Sequence, residues 1–351
     1  MRLAIDVMGS DQGPRAIVEG SARAVVERPE LELVLFGPYQ HLVAELARLP
    51  RPLAAATSRL ELRDASQSVE QDSTLAWALR HGGDTSMAAM LRCVASGEAA
   101  AGVSAGNTGA LVALARREVG MLEGLSRPAI STSVPAGRGQ RCYLLDLGAN
   151  VDSPPERLVD FALMGAAMVQ CIDGVERPAV GLLNVGHEAM KGGACVREAD
   201  RLLGARAEAF GIDYRGYVEG GEIYRGGLDV VVCDGFVGNI TLKASEGLTR
   251  MLIERMQATF ESRWHGRLAS LLARPLLHEL KQELNPVRYN GASLLGLKGS
   301  IVKSHGSTQA DGFYHAIERA LREASQDLPA RVDALLKERG LTMATPRAAV
   351  R

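Results

Sequence analysis

Several short segments of this 351-residue chain join glycines to amide, hydroxyl, acidic or cationic side chains, a mixture suited to holding an oxyanion. Ser104-Ala105-Gly106-Asn107-Thr108-Gly109 is one. Its glycines let the backbone turn amide groups toward an anion, and Thr108 is placed to cap a following helix, whose N-terminus favours phosphate. Asp234-Gly235-Phe236-Val237-Gly238-Asn239 has the same design, with Lys243 one turn further on. In Gly186-His187-Glu188-Ala189-Met190-Lys191 a carboxylate precedes a lysine by three residues. Glu188 can thus orient Lys191 toward a phosphate or a carbonyl oxygen, although the same spacing also suits a solvated ion pair. Lys303-Ser304-His305-Gly306-Ser307 supplies a cation, an imidazole and hydroxyls. Asp6, in Asp6-Val7-Met8-Gly9-Ser10-Asp11, and the pair Asp146 and Asn150 complete the candidate contacts. Each segment alone also has a plain reading as a tight turn or cap.

One pattern points elsewhere. Gly102-Val103-Ser104-Ala105-Gly106 fits the nucleophile elbow G-x-S-x-G, with Asp234 and His305 following in the order a hydrolase triad requires. The pattern is short and built from common residues, so it stands as an alternative. There is no G-x-G-x-x-G and no phosphate loop ending in G-K-[ST]. No metal site and no cofactor are expected.

The elements that position these segments alternate along the chain. Continuous aliphatic runs predict strands at Leu3–Val7, Leu31–Phe36, Ala99–Val103, Ala129–Val134, Tyr143–Leu147, Val180–Val185, Leu228–Cys233 and Ser300–Lys303. Amphipathic stretches predict helices near 14–27, 40–49, 86–96, 109–119, 156–172, 192–210, 237–262 and 310–325. Such alternation gives an α/β fold, a three-layer sandwich around a mostly parallel sheet, with ligands beyond the carboxyl ends of strands. We expect one catalytic domain over residues 1–340 and a disordered tail over 341–351.

Hydrophobic residues form 46% of the chain and aromatics only 4%, so the core is aliphatic. A formal net charge of -1 argues against a nucleic-acid partner. The five cysteines form no C-x-x-C pair and read as reduced core residues. An N-terminus entering a strand pattern at once predicts no signal peptide, and therefore a cytoplasmic protein.

Taken in order, the segments resemble the acyl-acyl carrier protein:phosphate acyltransferase family of bacterial phospholipid synthesis. The resemblance runs through Leu3–Asp11, S-A-G-N-T-G-A at Ser104–Ala110, R-P-A at Arg127–Ala129 and L-L-D-x-G-A-N-V-D at Leu144–Asp152. It continues through G-L-L-N-x-G at Gly181–Gly186, D-G-F-x-G-N at Asp234–Asn239, Gly291–Lys298 and K-S-H-G-S at Lys303–Ser307. Ser10 stands where a glycine is usual, and His81-Gly82 where paired lysines often occur. The resemblance implies a fold similar to phosphate acetyltransferases and isopropylmalate dehydrogenases, a homodimer, and transfer of a fatty acyl group from acyl carrier protein to inorganic phosphate. The acyl-phosphate would then pass to a membrane glycerol-3-phosphate acyltransferase. Catalytic roles carry over to Lys191 and Asn239, and motif position adds His305. Asp6, Gly106, Asn107, Thr108, Gly109, Asp146, Asn150, Glu188, Asp234, Gly238, Lys303 and Ser307 are the candidate phosphate or substrate contacts.

The chemistry suits this inventory. A thiol leaving group with a pKa of about 8.5 needs no strong acid, and phosphate is already an oxyanion. The work left is positioning and stabilising the carbonyl's developing charge. Separately, Trp264, Leu268, Leu271, Leu272 and Leu276 recur at helical spacing inside 258–288. They predict a helical hairpin whose stripe is a core or dimer contact, or else a peripheral contact with the inner face of the cell membrane. A non-catalytic membrane scaffold is the third reading.

Overall fold

A computed structural model of the protein describes residues 1–55, 57–188, 190–261, 273, 275, 277, 287 and 290–338. The hairpin expected over 258–288 falls mostly outside these residues. So do Trp264, Leu268, Leu271, Leu272, Leu276 and the tail 341–351.

Among the described residues the strands are β1 (Arg2–Asp6), β2 (Glu32–Gly37), β3 (Leu60–Asp64), β4 (Ala101–Ser104), β5 (Ala129–Ala136) and β6 (Gln140–Leu145). They continue with β7 (Ala179–Leu183), β8 (Asp213–Val218), β9 (Val230–Val232), β10 (Ala292–Leu295) and β11 (Ser300–Lys303). All eleven join one sheet in the order β3-β2-β1-β4-β11-β10-β5-β6-β9-β7-β8. The helices are α1 (Pro14–Glu27), α2 (Tyr39–Ala47), α3 (Arg51–Ala54), α4 (Leu75–His81), α5 (Ser86–Ala95) and α6 (Thr108–Glu118). After them come α7 (Pro155–Asp173), α8 (Ala194–Arg206), α9 (Gly235–Glu261), α10 (Ala310–Ser325) and α11 (Leu328–Glu338).

Both faces of the sheet are covered, which is why its inner strands read as unbroken aliphatic runs. In β1, Leu3 and Ile5 share a core with Ile17 and Val25 of α1 and with Phe313 and Ile317 of α10. Ala4, between them, faces the opposite layer with Met87 and Met90 of α5 and Leu111 and Leu114 of α6. The far half of the sheet packs on α7 through Phe161, Leu163 and Met168, with Leu203 of α8 and Val332 of α11. No helix among the described residues is long and apolar enough to cross a membrane.

The eight expected strands and eight expected helices are present with shifts of a few residues at their ends. The sequence reading missed β3, β8 and β10. Two of these are the outermost strands, which need only one buried face and so lack a continuous apolar run. In β3 only Leu60 is fully buried, and β8 contains Arg215 and a left-handed Gly216 (φ 72°).

Strand direction matters for the site. The pairs β1–β2, β1–β4, β4–β11 and β2–β3 are parallel, and so are β6–β9, β9–β7 and β7–β8. The middle pairs β11–β10, β10–β5 and β5–β6 are all antiparallel. Three reversals turn one half of the sheet against the other. The carboxyl ends of β1, β4 and β11 therefore leave one edge, and those of β6, β9 and β7 leave the opposite edge.

Candidate active site

At the first edge, register sets three distant residues in a row: Asp6 of β1 pairs with Ser104 of β4, and Ser104 pairs with Lys303 of β11. Asp6 is buried, 1% exposed. Its carboxylate accepts hydrogen bonds from Ser104 Oγ at 2.6 Å, Ser86 Oγ at 2.7 Å and the Met8 amide at 3.2 Å. Burial outweighs those donors and pushes its pKa up to about 6. Lys303 tucks its ammonium under the Ala105 carbonyl, 3.3 Å away, and that of Ser304. Burial brings its pKa down to about 8.

The loops beyond these strands hold one another. Gln71 Nε2 donates to the carbonyls of Ala105 (3.2 Å) and Gly9, while Asn107 Nδ2 donates to the Gln71 carbonyl at 2.6 Å. The Gly306 carbonyl accepts from the Asp11 amide at 2.9 Å and Ser10 Oγ at 3.1 Å. Asn107 Oδ1 accepts from the Ala110 amide at 2.9 Å, so Asn107 caps α6. This corrects the expectation for Thr108, which is the first residue inside the helix. His305 stands between Ser307 and α9. Its Nδ1 is 2.9 Å from Ser307 Oγ, and its Nε2 is 2.7 Å from Lys243 Nζ. Burial, and then Lys243, hold the imidazole below its ordinary pKa.

The nucleophile-elbow reading fails on this geometry. Ser104 is fully buried with its hydroxyl committed to Asp6. His305 is engaged by Ser307 and Lys243, and Asp234 caps α9 by accepting from the Val237 amide at 2.8 Å.

At the opposite edge, β9 lies between β6 and β7, so the Asp234 loop sits between the Asp146 and Asn184 loops. Asp146 Oδ1 accepts from the amides of Ile130 (2.8 Å), Leu147 (2.8 Å) and Ala149 (3.1 Å). Its Oδ2 accepts from the Asn150 amide (2.7 Å) and Asn150 Nδ2 (2.9 Å), and that same Nδ2 reaches the Pro128 carbonyl at 2.8 Å. Asp146 and Asn150 thus build the loop and leave no side-chain oxygen of the aspartate to face a ligand. The glycines of Asp234–Asn239 also have a packing reason. A Cβ on Gly238 would overlap the Asp146 carbonyl oxygen, and one on Gly235 would lie 2.5 Å from that of Asn150. Sequence alone had given Gly238 to an anion.

Lys191 is exposed, its Nζ 2.8 Å from Glu188 Oε1. That pairing raises the lysine pKa and lowers the glutamate's. Asn184 Nδ2 closes the loop through the carbonyls of Gly186 (3.0 Å) and Lys191 (3.3 Å). Asn239 is exposed on α9, beside Gly148 of the Asp146 loop.

The fold therefore gathers Asp6, Gly106, Asn107, Thr108, Gly109, Lys303, His305 and Ser307 at one edge. It gathers Asp146, Asn150, Glu188, Lys191, Asp234, Gly238 and Asn239 at the other. The first turns of α9 connect them. Asn239 and Lys243, four residues apart, lie on one face with Cβ atoms about 6 Å apart; one borders the Asp146 loop and the other touches His305. Ser86, Gln71 and Asn290 were not singled out from sequence. Asn290 accepts from the His305 amide at 3.0 Å and donates to Ser304 Oγ at 2.9 Å. Ser86 and Gln71 follow irregular polar stretches that carry no period.

The comparisons with known proteins agree with this architecture. Among solved structures, a phosphotransacetylase from Streptococcus pyogenes superposes with a TM-score of 0.61 at 16% identity, covering 93% of this chain and 94% of that one. The 4-hydroxythreonine-4-phosphate dehydrogenase of Klebsiella pneumoniae gives 0.54 at 14% identity, covering 92% and 100%. These likenesses concern the fold alone. A relative named phosphate acyltransferase from Stutzerimonas stutzeri is 49% identical over 330 residues, 94% of this chain and 90% of its own length. Another of that name, from Nitrosococcus oceani, is 44% identical over 335 residues, covering 95% and 96%. The model of the family described as "Fatty acid synthesis protein" matches residues 1–331, and the chain belongs to that family.

Proposed function

We propose that the protein transfers a fatty acyl group from acyl-acyl carrier protein to inorganic phosphate, giving an acyl-phosphate for phospholipid synthesis. The observation that carries this reading is identity of 44–49% to phosphate acyltransferases along nearly the whole chain. The geometry fits it. Ser104, the candidate nucleophile, is buried on Asp6, whereas Lys191 is exposed and held by Glu188.

The reaction needs no acyl-enzyme. A phosphate oxygen attacks the thioester carbonyl carbon, a C–O bond forms, and the C–S bond breaks as the thiolate leaves to take a proton from water. Lys191 and the Asn239 side-chain amide act on the carbonyl's developing negative charge, while His305 positions Lys243 and Ser307. The backbone amides of Asn107, Thr108 and Gly109 hold the phosphate, with Lys303 and Ser307 behind them, since the Gly106 and Gly238 amides already donate to Ser104 Oγ and the Asp234 carbonyl.

The catalytic unit is one α/β domain over 1–340, acting as a cytoplasmic homodimer. Its product passes to a membrane glycerol-3-phosphate acyltransferase, with peripheral contact at the inner face of the membrane through 258–288. The dimer reading is supported by α9, whose apolar face is exposed at Phe236 (61%), Ile240 (53%), Leu248 (55%) and Leu252 (55%).

The test is a purified assay with acyl carrier thioester, with and without phosphate, in which acyl-phosphate is trapped by hydroxylamine. Product should form only with phosphate. Lys191→Ala should lower turnover by about 10²–10³-fold with melting temperature unchanged, because its ion pair is exposed. Thioester consumption that ignores phosphate would reject the assignment, and near-normal turnover in Lys191→Ala would remove that residue from the chemistry.

A further inference from the structure

Beside the Asp146–Asn150 loop lies a cluster of cations that the acyl-transfer reading does not use. Arg116 comes from the last turns of α6, Arg127 from the segment before β5, and Arg157 from the first turn of α7. The charges of Arg127 and Arg157, after burial itself, hold Arg116 below its ordinary pKa, and Arg127 does the same to Arg157. Arg116 and Arg157 are half-buried, and the Nε of each is sealed from solvent with no hydrogen-bond partner among the described residues. The bond from Arg157 Nη1 to the Asp152 carbonyl, at 3.1 Å, is a neutral contact.

No carboxylate makes an ion pair with any of the three among the described residues. Arg2, Arg15, Arg23, Arg28 and Arg63, by contrast, each pair with an acid. Two acids, Asp160 and Asp146, act on Arg157, and neither forms an ion pair with it; the carboxylate of Asp146 is taken up by loop donors. Asp160 feels the Arg157 charge, yet burial pushes its pKa up to about 7. Desolvated like charges without a counter-ion destabilise a fold, and a planar guanidinium with free N–H groups is the side chain suited to a tetrahedral oxyanion.

We propose that Arg116, Arg127 and Arg157 form a second anion site, built from residues other than Lys191 and Asn239, that binds a phosphate-class oxyanion. Two sources have that chemistry: free inorganic phosphate, or the phosphoryl group of the arm that carries the acyl thioester. The second source rests on the acyl-transfer reading above; the existence of the site does not.

The experiment measures binding, not turnover. In the Lys191→Ala background, thermal shift is recorded with inorganic phosphate in one arm and 4′-phosphopantetheine in the other. It is then repeated with Arg116→Gln and Arg127→Gln added, and with Arg127→Gln alone in case the larger change unfolds the chain. Glutamine keeps much of the side-chain stem and removes the charge. A ligand near a hundredfold its Kd should raise the melting temperature of the Lys191→Ala protein by about 5 °C. Most of that rise should vanish in the arginine variants.

A shift with inorganic phosphate alone assigns the site to the free ion, and one with 4′-phosphopantetheine alone assigns it to the donor arm. No shift in either arm, or an equal shift with and without the arginines, overturns the site. A lower melting temperature of the unliganded arginine variants would also overturn it, by making the arginines structural. Since no turnover is needed, an inactive enzyme that still shows the arginine-dependent shift would reject the acyl-transfer reading and leave the site standing.

Discussion

Lys243 Nζ lies 2.7 Å from His305 Nε2, and this contact ties the first turns of α9 to the loop after β11. The two residues belong to opposite halves of the sheet. The ammonium has only protons to offer to Nε2, while Nδ1 accepts from the Ser307 amide at 3.2 Å and lies 2.9 Å from Ser307 Oγ. Adding a second proton would set imidazolium against ammonium. Burial comes first and Lys243 second in keeping the ring below its ordinary pKa of 6.5.

Replacing Lys243 by Met should therefore raise the His305 pKa toward that value without fully restoring it, since burial remains. Histidine signals followed by NMR across pH 4–8 check this. The sign is definite: with the folded pKa depressed, the contact favours the fold above the unfolded value and loses ground as pH falls through it. An unmoved titration would show that the pair does not communicate.

Asp6 at about 6 and Lys303 at about 8 bracket a window in which both groups are charged. Turnover should rise through the first value and fall through the second. Stability should run the other way. Between 3.8 and about 6 the folded chain keeps a proton on Asp6 that the unfolded chain releases, so stability falls as pH rises. Between about 8 and 10.5 the unfolded chain keeps a proton that Lys303 has lost, so stability rises with pH. Neutral pH is thus where this buried pair costs the fold most. Asp6→Asn should abolish the acid limb and lower activity by about tenfold, with a melting temperature at pH 7.5 no lower than before. An acid limb unchanged in that variant would assign the titration to another group.

Sequence periodicity revealed the strands covered on both faces, because continuous burial leaves a continuous apolar run. It could not reveal β3 and β8, whose outer position removes half of that signal. Motifs located the loops correctly but misread some of their parts. Gly238 and Asp146 stand in anion-binding contexts, yet one is glycine because a backbone carbonyl leaves no room for a Cβ, and the other is an aspartate because loop amides converge on it. Nor did alternation along the chain show that the sheet reverses in its middle. That fact rests on the β5–β6 hairpin, because the two antiparallel pairings of β10 cancel each other.

Asp146 separates a structural acid from a functional one. Removing its carboxylate in Asp146→Ala would leave the amides of Ile130, Ala149 and Asn150 together without an acceptor, while the Leu147 amide keeps the Ile130 carbonyl. Each unsatisfied buried donor costs about 1–3 kcal/mol, so a loss of at least 3 kcal/mol is expected by urea unfolding. Activity should disappear with the fold and not ahead of it. A variant that stays as stable as the parent yet inactive would return Asp146 to the list of ligand contacts.

The last prediction concerns α9. At 100° per residue, Phe236, Ile240, Leu248, Met251 and Leu252 fall within about half of the helix circumference, and all are exposed. Asn239 and Lys243 occupy the neighbouring arc. An exposed apolar stripe of this extent is unfavourable on an isolated chain. A second copy of the same helix, brought up by a twofold axis, would bury it against an identical surface. Such a contact would also fix the helix that bears Asn239 and Lys243, so assembly and activity should fall together. Light scattering at micromolar concentration should give a dimer for the parent protein and a monomer for Leu248→Glu/Leu252→Glu, with turnover reduced in proportion to the dimer lost. A parent that is monomeric, or a variant that stays dimeric, would place the twofold elsewhere and leave the stripe to another partner.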